Sequence, residues 1–367
     1  MDKNKLRIFI LKNASRARRN KIIQLGMVPI TKTKDSRRIT LAKKMDKAIE
    51  TFAKDADRKS LEKAIWKDVV TYLIDPEEYF LYGFEYLNDE QKHSFVGNRE
   101  KELICGWLNH LPENHDAWKI FMDKWLTYEA FKPYYHREAI HITSPSDKDA
   151  FITFCKKYKT VITKVSNSSQ GRGISRLNDP DDLDAEFSKI EQSTLANGGS
   201  IVVEEVVHQS DIMSVFNKSS VNTVRIATFR KDDETVIMFA FMRTGRKGAV
   251  VDNGGSGGLL IGVDENTGEC NSEGCDEAGH RYKRHPDSGV EIVGFKIPEW
   301  NRAIAMAKEL ANVVPEQRYV GWDLAYTDAG WVMIEGNSWS QFVGPQISQR
   351  RGMRSYVDRT FYEYLKM

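Results

Sequence analysis

The chain reads as an α+β protein, with helices gathered in its first third and short strands interleaved with helices after that. Three observations predict this class. Residues 43–57 and 59–73 carry apolar side chains at mixed spacings of three and four, as in Leu61, Ala64, Ile65, Val69 and Tyr72. After Pro133 the pattern changes to short runs rich in β-branched and aromatic residues. Residues 319–335 then form a strand–Asp-Ala-Gly–strand unit, a hairpin signal with Gly330 at the left-handed position of a three-residue loop.

The elements follow in order. Asp75-Pro76 predicts a helix start, with Asp as cap and Pro in the first turn, and residues 97–110 continue the helical pattern. Strands are expected at 160–165, 201–207, 222–230, 235–243, 258–263, 319–326 and 331–335. Helices are expected between them at about 146–157, 180–190 and 299–313, with a last one at 353–365.

A chain of 367 residues allows about two or three such units. With 41% hydrophobic and 29% charged residues and ten prolines, it is not a collagen, a mucin or a long disordered tract. No run approaches the ~20 apolar residues of a membrane span. Ile8-Phe9-Ile10-Leu11 is too short for the core of a signal peptide. Four cysteines, Cys105, Cys155, Cys270 and Cys275, are few for this length, so a reducing cytoplasm is the expected location. The formal net charge of +2 hides a split: residues 1–44 hold 14 Lys/Arg against Asp2 and Asp35, so the rest of the chain is net acidic. This basic head is either a solvated helix or a contact for an anionic membrane surface or a lipid-linked sugar, because Lys12–Lys21 abuts the apolar Ile8–Leu11. The second reading puts the protein at the inner face of the membrane. Nucleic acid is not expected, since no recognised binding module accompanies the charge.

Chemistry is most legible in the hairpin. With Asp328-Ala329-Gly330 as the loop, Thr327 pairs with Trp331, and counting back puts Asp323 opposite Glu335. Two facing carboxylates among Trp, Leu, Met and Ile need a cation between them. Asn337, two residues on, projects to the same side, and two carboxylates with an amide oxygen suit Mg²⁺. A second element, Lys164 to Gly173 (KVSNSSQGRG), follows a strand and is built to bring backbone N–H groups and one ammonium to phosphate, although it is not a P-loop. Glu204 and Glu205 sit on an apolar strand, and Arg225 and Arg243 are strand-borne cations able to clamp an oxyanion. Residues 251–258 (VDNGGSGG) form a glycine-rich loop.

Two patterns are set aside. Gly254–Gly258 matches G-x-S-x-G, but a strand-like run follows where a nucleophile elbow needs a helix. Cys270, Cys275, His280 and His285 have residue types suited to zinc but spacing that is not typical of it.

Taken in order, Asp123-Lys124, the Lys164 loop, Glu204-Glu205, Ser220–Arg225 (SVNTVR), Asp252-Asn253 with Gly257-Gly258, and Asp323, Glu335 and Asn337 resemble the ATP-grasp superfamily. Within it the sequence is most similar to the sugar-transfer-associated ATP-grasp family, carried by SVNTVRI and DNGGSGGLLIGVDENTG and by HPDSG and IPEW nearby. The resemblance covers about residues 75–350 and leaves the basic head unexplained.

It implies ATP held between two α+β lobes, preceded by a mainly helical region: residues 1–114 helical, 115–207 the smaller lobe with the phosphate loop, 208–367 the larger lobe with the metal site. Lys124 and Lys164 would hold the α- and β-phosphates, and the 166–173 loop, with Ser168, Ser169, Gly171 and Gly173, would close over the β- and γ-phosphates. Glu204 and the backbone of Glu205 to Val207 would meet the adenine edge, with Gln209 or Asp211 at the ribose. Asp323, Glu335 and Asn337 would hold Mg²⁺, with Glu335 bridging two ions and Mn²⁺ a substitute metal. Arg225, Arg243, Asn253 and the Gly257-Gly258 backbone would face the reacting groups. The implied reaction joins a carboxylate to an amine, such as an amino sugar, through an acyl phosphate, in surface-polysaccharide biosynthesis. A small-molecule kinase on the same fold and a non-enzymatic nucleotide-binding adaptor remain open alternatives.

Overall fold

The computed structural model describes residues 36–168, 173–246, 248 and 257–364. The basic head is named above but lies almost wholly outside them, as do Ser169, Gly171 and Asn253.

The N-terminal region is helical: α1 (Ser36–Phe52), α2 (Arg58–Tyr72), α3 (Pro76–Leu81), α4 (Asp89–His93) and α5 (Asn98–Asn109). Helix α1 begins seven residues before the expected start at 43 and stops five before the expected end at 57. Its buried stripe is Leu41, Met45, Ala48 and Ile49, so the first turn, Ser36-Arg37-Arg38, carries no apolar signal. At α3 the Glu78 side chain folds back to accept from the Asp75 amide at 2.8 Å.

Next comes α6 (Lys124–Tyr135), which the pattern did not suggest because Pro133 lies inside it. The chain absorbs the proline with a kink at Phe131 (φ −115, ψ 15). Then β1 (Ala139–Ile142), α7 (Lys148–Tyr158), β2 (Thr160–Val165), β3 (Ile174–Asn178), α8 (Leu183–Ser193) and β4 (Ile201–Glu205) build an antiparallel four-stranded sheet in the order β1-β4-β2-β3. Neither outer strand was anticipated: β1 has four residues and β3 (ISRLN) is polar. The strand expected at 201–207 ends at Glu205. One face of this sheet is covered by α7 and α8 through Phe151, Phe154, Val161, Phe187 and Val203.

After α9 (Asp211–Ser214) come β5 (Thr223–Arg230), β6 (Thr235–Thr244), β7 (Leu259–Val263), β8 (Gly274–Cys275), β9 (Arg281–Tyr282), α10 (Trp300–Leu310), β10 (Tyr319–Thr327) and β11 (Gly330–Asn337). The strands form an antiparallel seven-stranded sheet in the order β11-β10-β5-β6-β7-β8-β9. Val224, Ile226, Ala240, Met242 and Trp322 bury one face against α10. On the other face, Ala227, Phe229, Phe239 and Tyr319 share a core with Ile65, Val69 and Leu108 of the N-terminal helices. The chain closes with α11 (Val343–Gln349) and α12 (Arg354–Val357), the latter running into a π-helical turn, Asp358–Tyr362, within the helix expected at 353–365. Gln346, fully buried, accepts from the Val96 amide at 2.9 Å and donates to the Tyr82 hydroxyl at 3.0 Å, joining α11 to the N-terminal helical region.

Candidate active site

The free face of the four-stranded sheet and the neighbouring face of the seven-stranded sheet line a cleft of about 1430 Å³. Period-two alternation decides what points into it. Ile162, Lys164, Arg176 and Glu204 enter from the smaller sheet, and Thr223, Arg225, Arg243, Asp323, Glu335 and Asn337 from the larger.

The hairpin delivers the expected pair by a different route. Thr327 pairs with Gly330, so the loop holds only Asp328 and Ala329, one residue fewer than expected. A bulge at Ile334, where Asp323 pairs with Glu335 but Leu324 with Met333, restores the missing residue. The two offsets cancel, and Asp323 faces Glu335, with Gly321 opposite Asn337.

Asp323 is almost fully buried, and both its oxygens are engaged. Arg225 clamps both its oxygens, with Nη2 to Oδ2 at 2.7 Å, and the Arg243 Nη2 donates to the same Oδ2 at 2.7 Å. Burial alone would raise this carboxyl; the two guanidiniums outweigh it and hold the group below the ordinary Asp value. Arg243 also donates to the Thr223 hydroxyl at 3.1 Å. Gly321 is required here, because a Cβ would meet the Ser340 Oγ at 2.2 Å and the Arg225 Cδ at 2.9 Å.

Glu335 differs. It is half-buried, and among the described residues it makes no hydrogen bond or ion pair. Burial, with the Asp323 carboxylate beside it, raises its carboxyl above the ordinary Glu value. Asn337 uses its amide N–H on the Gly321 carbonyl at 3.5 Å. A half-buried carboxylate with no donor of its own, set against a second carboxylate and an amide, fits a divalent cation. Among the described residues no three His, Cys, Asp or Glu side chains cluster, so an amide oxygen and water would have to complete the shell.

In the smaller sheet, Glu204 is buried between Lys164 Nζ (2.8 Å) and Arg137 Nη2 (2.9 Å). Burial would raise its carboxyl, and the Lys164 ammonium and Arg137 guanidinium bring it below the ordinary value instead. Lys124, first residue of α6, follows an Asp123 cap that accepts from the Trp125 and Leu126 amides at 2.8 and 3.0 Å. Its ammonium donates to the Val165 carbonyl at 3.1 Å and to the Ser168 carbonyl, tying down the start of the 166–173 loop. Burial lowers the Lys124 ammonium below the ordinary lysine value, against the pull of Glu335. At the loop's far end Gly173 has φ +68, and a Cβ there would sit 2.7 Å from the Val165 Cγ2.

Val207, Gln209 and Asp211 also line the cleft, and Glu205 accepts from the Glu138 amide at 3.3 Å. The Gln209 amide is occupied: it donates to the Asn217 and Ser220 carbonyls at 2.9 and 2.8 Å and accepts from Asn222 at 3.0 Å, and the Asp211 carboxylate lines the cleft beside it. Arg137 was not anticipated. Its guanidinium spans both lobes, reaching Glu204 and, at 2.7 Å, the Met333 carbonyl of β11, and no local spacing signals a partner 67 residues away. His285, by contrast, is buried with Nε2 3.1 Å from the Gly245 carbonyl, and His280 is exposed with Nδ1 3.0 Å from Asp276. All four cysteines are buried and free.

The family description that matches this chain is sugar-transfer associated ATP-grasp, over residues 156–360. The chain belongs to that family. The match spans both sheets' cleft strands from β2 to β11; Lys124 and Arg137 lie before it. No curated protein matches the chain. Solved structures similar to this ATP-grasp chain include an ADP complex of N5-carboxyaminoimidazole ribonucleotide synthetase (14% identity, 71% of this chain and 58% of that one, TM-score 0.42). Others are D-alanyl-alanine synthetase A from Vibrio cholerae (10%, 70% and 68%, 0.43) and phosphoribosylamine–glycine ligase from Thermotoga maritima (13%, 71% and 59%, 0.45). The chain thus spans less than two thirds of the first and third of these proteins.

Proposed function

We propose that this ATP-grasp protein is an ATP- and Mg²⁺-dependent carboxylate–amine ligase that works through an acyl phosphate on a sugar or small acid of surface-polysaccharide synthesis. The observation that carries the reading is the Asp323–Glu335 pair with Asn337 on the cleft wall, where Glu335 has no hydrogen-bonding partner among the described residues. Membership of the sugar-transfer-associated family supports the substrate class.

Asp323, Glu335 and Asn337 are the residues that would hold Mg²⁺. When bound, the ion supplies charge neutralisation at the phosphates. The chain's own residues do the remaining work. Lys124 and Lys164 offer ammonium groups to the α- and β-phosphates, and Glu204 with the backbone of Glu205 to Val207 offers the adenine edge its partners. Arg225 and Arg243 keep Asp323 ionised and stand where charge develops on the transferred phosphoryl group. A substrate carboxylate oxygen bonds to the γ-phosphorus as its bond to ADP breaks. The amine then bonds to the acyl carbon, phosphate leaves with its bonding electrons, and the amine nitrogen gives up a proton. No protein nucleophile is needed; the lobes align the reactants and exclude water.

The test is a screen of carboxylates against amines and amino sugars for ADP release, with mass spectrometry of the products. An amide formed with one ADP and one phosphate per turnover is the expected result. A stable phosphorylated product without phosphate release would instead assign a kinase. Glu335→Gln is expected to lose Mg-ATP turnover by at least about 100-fold while remaining folded. Near-wild-type turnover in that variant would remove Glu335 from the metal site.

A further inference from the structure

The N-terminal helices supply one wall of the cleft, through a residue that the ATP reading leaves without a task. Lys101 of α5 lines the cleft, yet its side chain is 0% exposed. Its single named partner among the described residues is the carboxylate of its neighbour Glu102, at 2.5 Å, and that side chain is 51% exposed. Adjacent helical positions do not face one another, so Glu102 must wrap around the helix to reach it. An ammonium carries three donors, and a buried one is costly unless they are used.

A comparison within the same helix shows what a purely structural ion pair looks like here. Glu100 is clamped on both oxygens by Arg354 at 2.5 and 2.6 Å and takes the Tyr362 hydroxyl at 2.7 Å. That acid is clamped by the C-terminal helix; Lys101 has no such clamp, and it lines the cleft.

The same cleft also holds an aromatic surface. Trp118 and Trp339, both cleft-lining, meet edge to face at 5.8 Å and 85° and present an aromatic surface. Trp339 lies two residues beyond Asn337, and Gly321, the cross-strand partner of Asn337, packs so closely on Ser340 that no Cβ fits between them. This wall therefore adjoins the metal carboxylates, on elements separate from the Lys124 and Lys164 phosphate cations.

We propose that this wall receives the second substrate, and that Lys101 recognises a carboxylate or phosphate on a sugar-sized molecule whose apolar face lies on Trp118 and Trp339. The proposal rests on the ligase reading of the cleft. Lys101 sets specificity: a neutral sugar leaves its spare donors unsatisfied, whereas an anionic one completes them.

The experiment is isothermal titration of the full chain, saturated with ADP and Mg²⁺, with glucuronate, glucose 6-phosphate and glucose as probes. ADP affinity is measured separately on each variant. One of the two anionic sugars is expected to bind, identifying carboxylate or phosphate as the preferred group, with glucose undetectable. Lys101→Met, close in volume, is expected to weaken that binding about tenfold or more with ADP affinity unchanged. Glu102→Gln frees the ammonium and is expected to tighten binding severalfold, which keeps the idea testable if Lys101→Met does not fold. Equal binding of anionic sugars by wild type and Lys101→Met, binding of glucose as tight as that of the anions, no anionic sugar bound by wild type, or unchanged binding in Glu102→Gln each overturns the proposal. If ADP binds normally while Lys101 has no effect, the Lys101 assignment fails and the ligase reading stands. If glucuronate binding depends on Lys101 but ADP does not bind, the ligase reading fails instead.

Discussion

Each sheet sets one carboxylate between two cations on its cleft face, but the two triads draw their cations from different places. Asp323 takes Arg225 and Arg243 from β5 and β6 of its own sheet. Glu204 takes Lys164 from its own sheet and Arg137 from the segment between α6 and β1, and Arg137 also bonds to the backbone of β11. The first triad stiffens one wall, and the second fastens the two walls together. Glu335, beside the first, has neither arrangement. The contrast separates charges that partners within the described residues compensate from one that they do not.

The largest expected effect comes from breaking the fully buried triad. Asp323→Asn leaves two nearly buried guanidiniums facing an amide, and should cost about 3–5 kcal/mol of stability, read by urea unfolding, along with all Mg-ATP turnover. If only turnover falls, the triad is not structural. Glu335→Gln should separate from it by losing turnover without losing stability. Lys164→Ala should weaken ATP binding about tenfold or more and release one arm from Glu204, measured by nucleotide titration. Unchanged affinity would take Lys164 out of the nucleotide site and leave it a structural partner of Glu204.

A smaller effect sharpens the comparison with a carboxylate that has no cation. Glu78, buried at the start of α3, is bonded by the Asp75 and Asn98 amides at 2.8 and 2.9 Å and the Tyr82 hydroxyl at 2.7 Å. Burial outweighs those neutral donors and raises its carboxyl to about 7 from 4.5. A folded-state value above the unfolded one means the folded form binds the proton more tightly. Its contribution is therefore fully present below about pH 4.5 and is lost as pH rises through about 7. Melting temperature against pH should fall across that window in wild type and lose the slope in Glu78→Gln; identical slopes would show that Glu78 is not the titrating group.

Much of the site was legible because it rests on local pattern. Strand alternation and a turn signal put Asp323 opposite Glu335 before any fold was known, although that success contains two errors that cancel, a loop one residue too long and an unseen bulge. Helix α6 and strands β1 and β3 were not legible, since a proline, a four-residue run and a polar edge each argue against the element that forms. Arg137 and Lys101 escaped for different reasons: the partners of Arg137 lie 67 and 196 residues along the chain, and Lys101 stands out only through its burial in the cleft wall.

The sequence alone determined the α+β class, the family and which residue types meet at the hairpin, because periodicity and motif order are local properties of the chain. The tertiary structure alone decided that Asp323 is neutralised by its own sheet while Glu335 is not, that Arg137 bridges the lobes, and that a buried lysine from the helical region walls the cleft. Those outcomes depend on burial and on contacts across tens to hundreds of residues, where the electrostatic balance is set by distance in space.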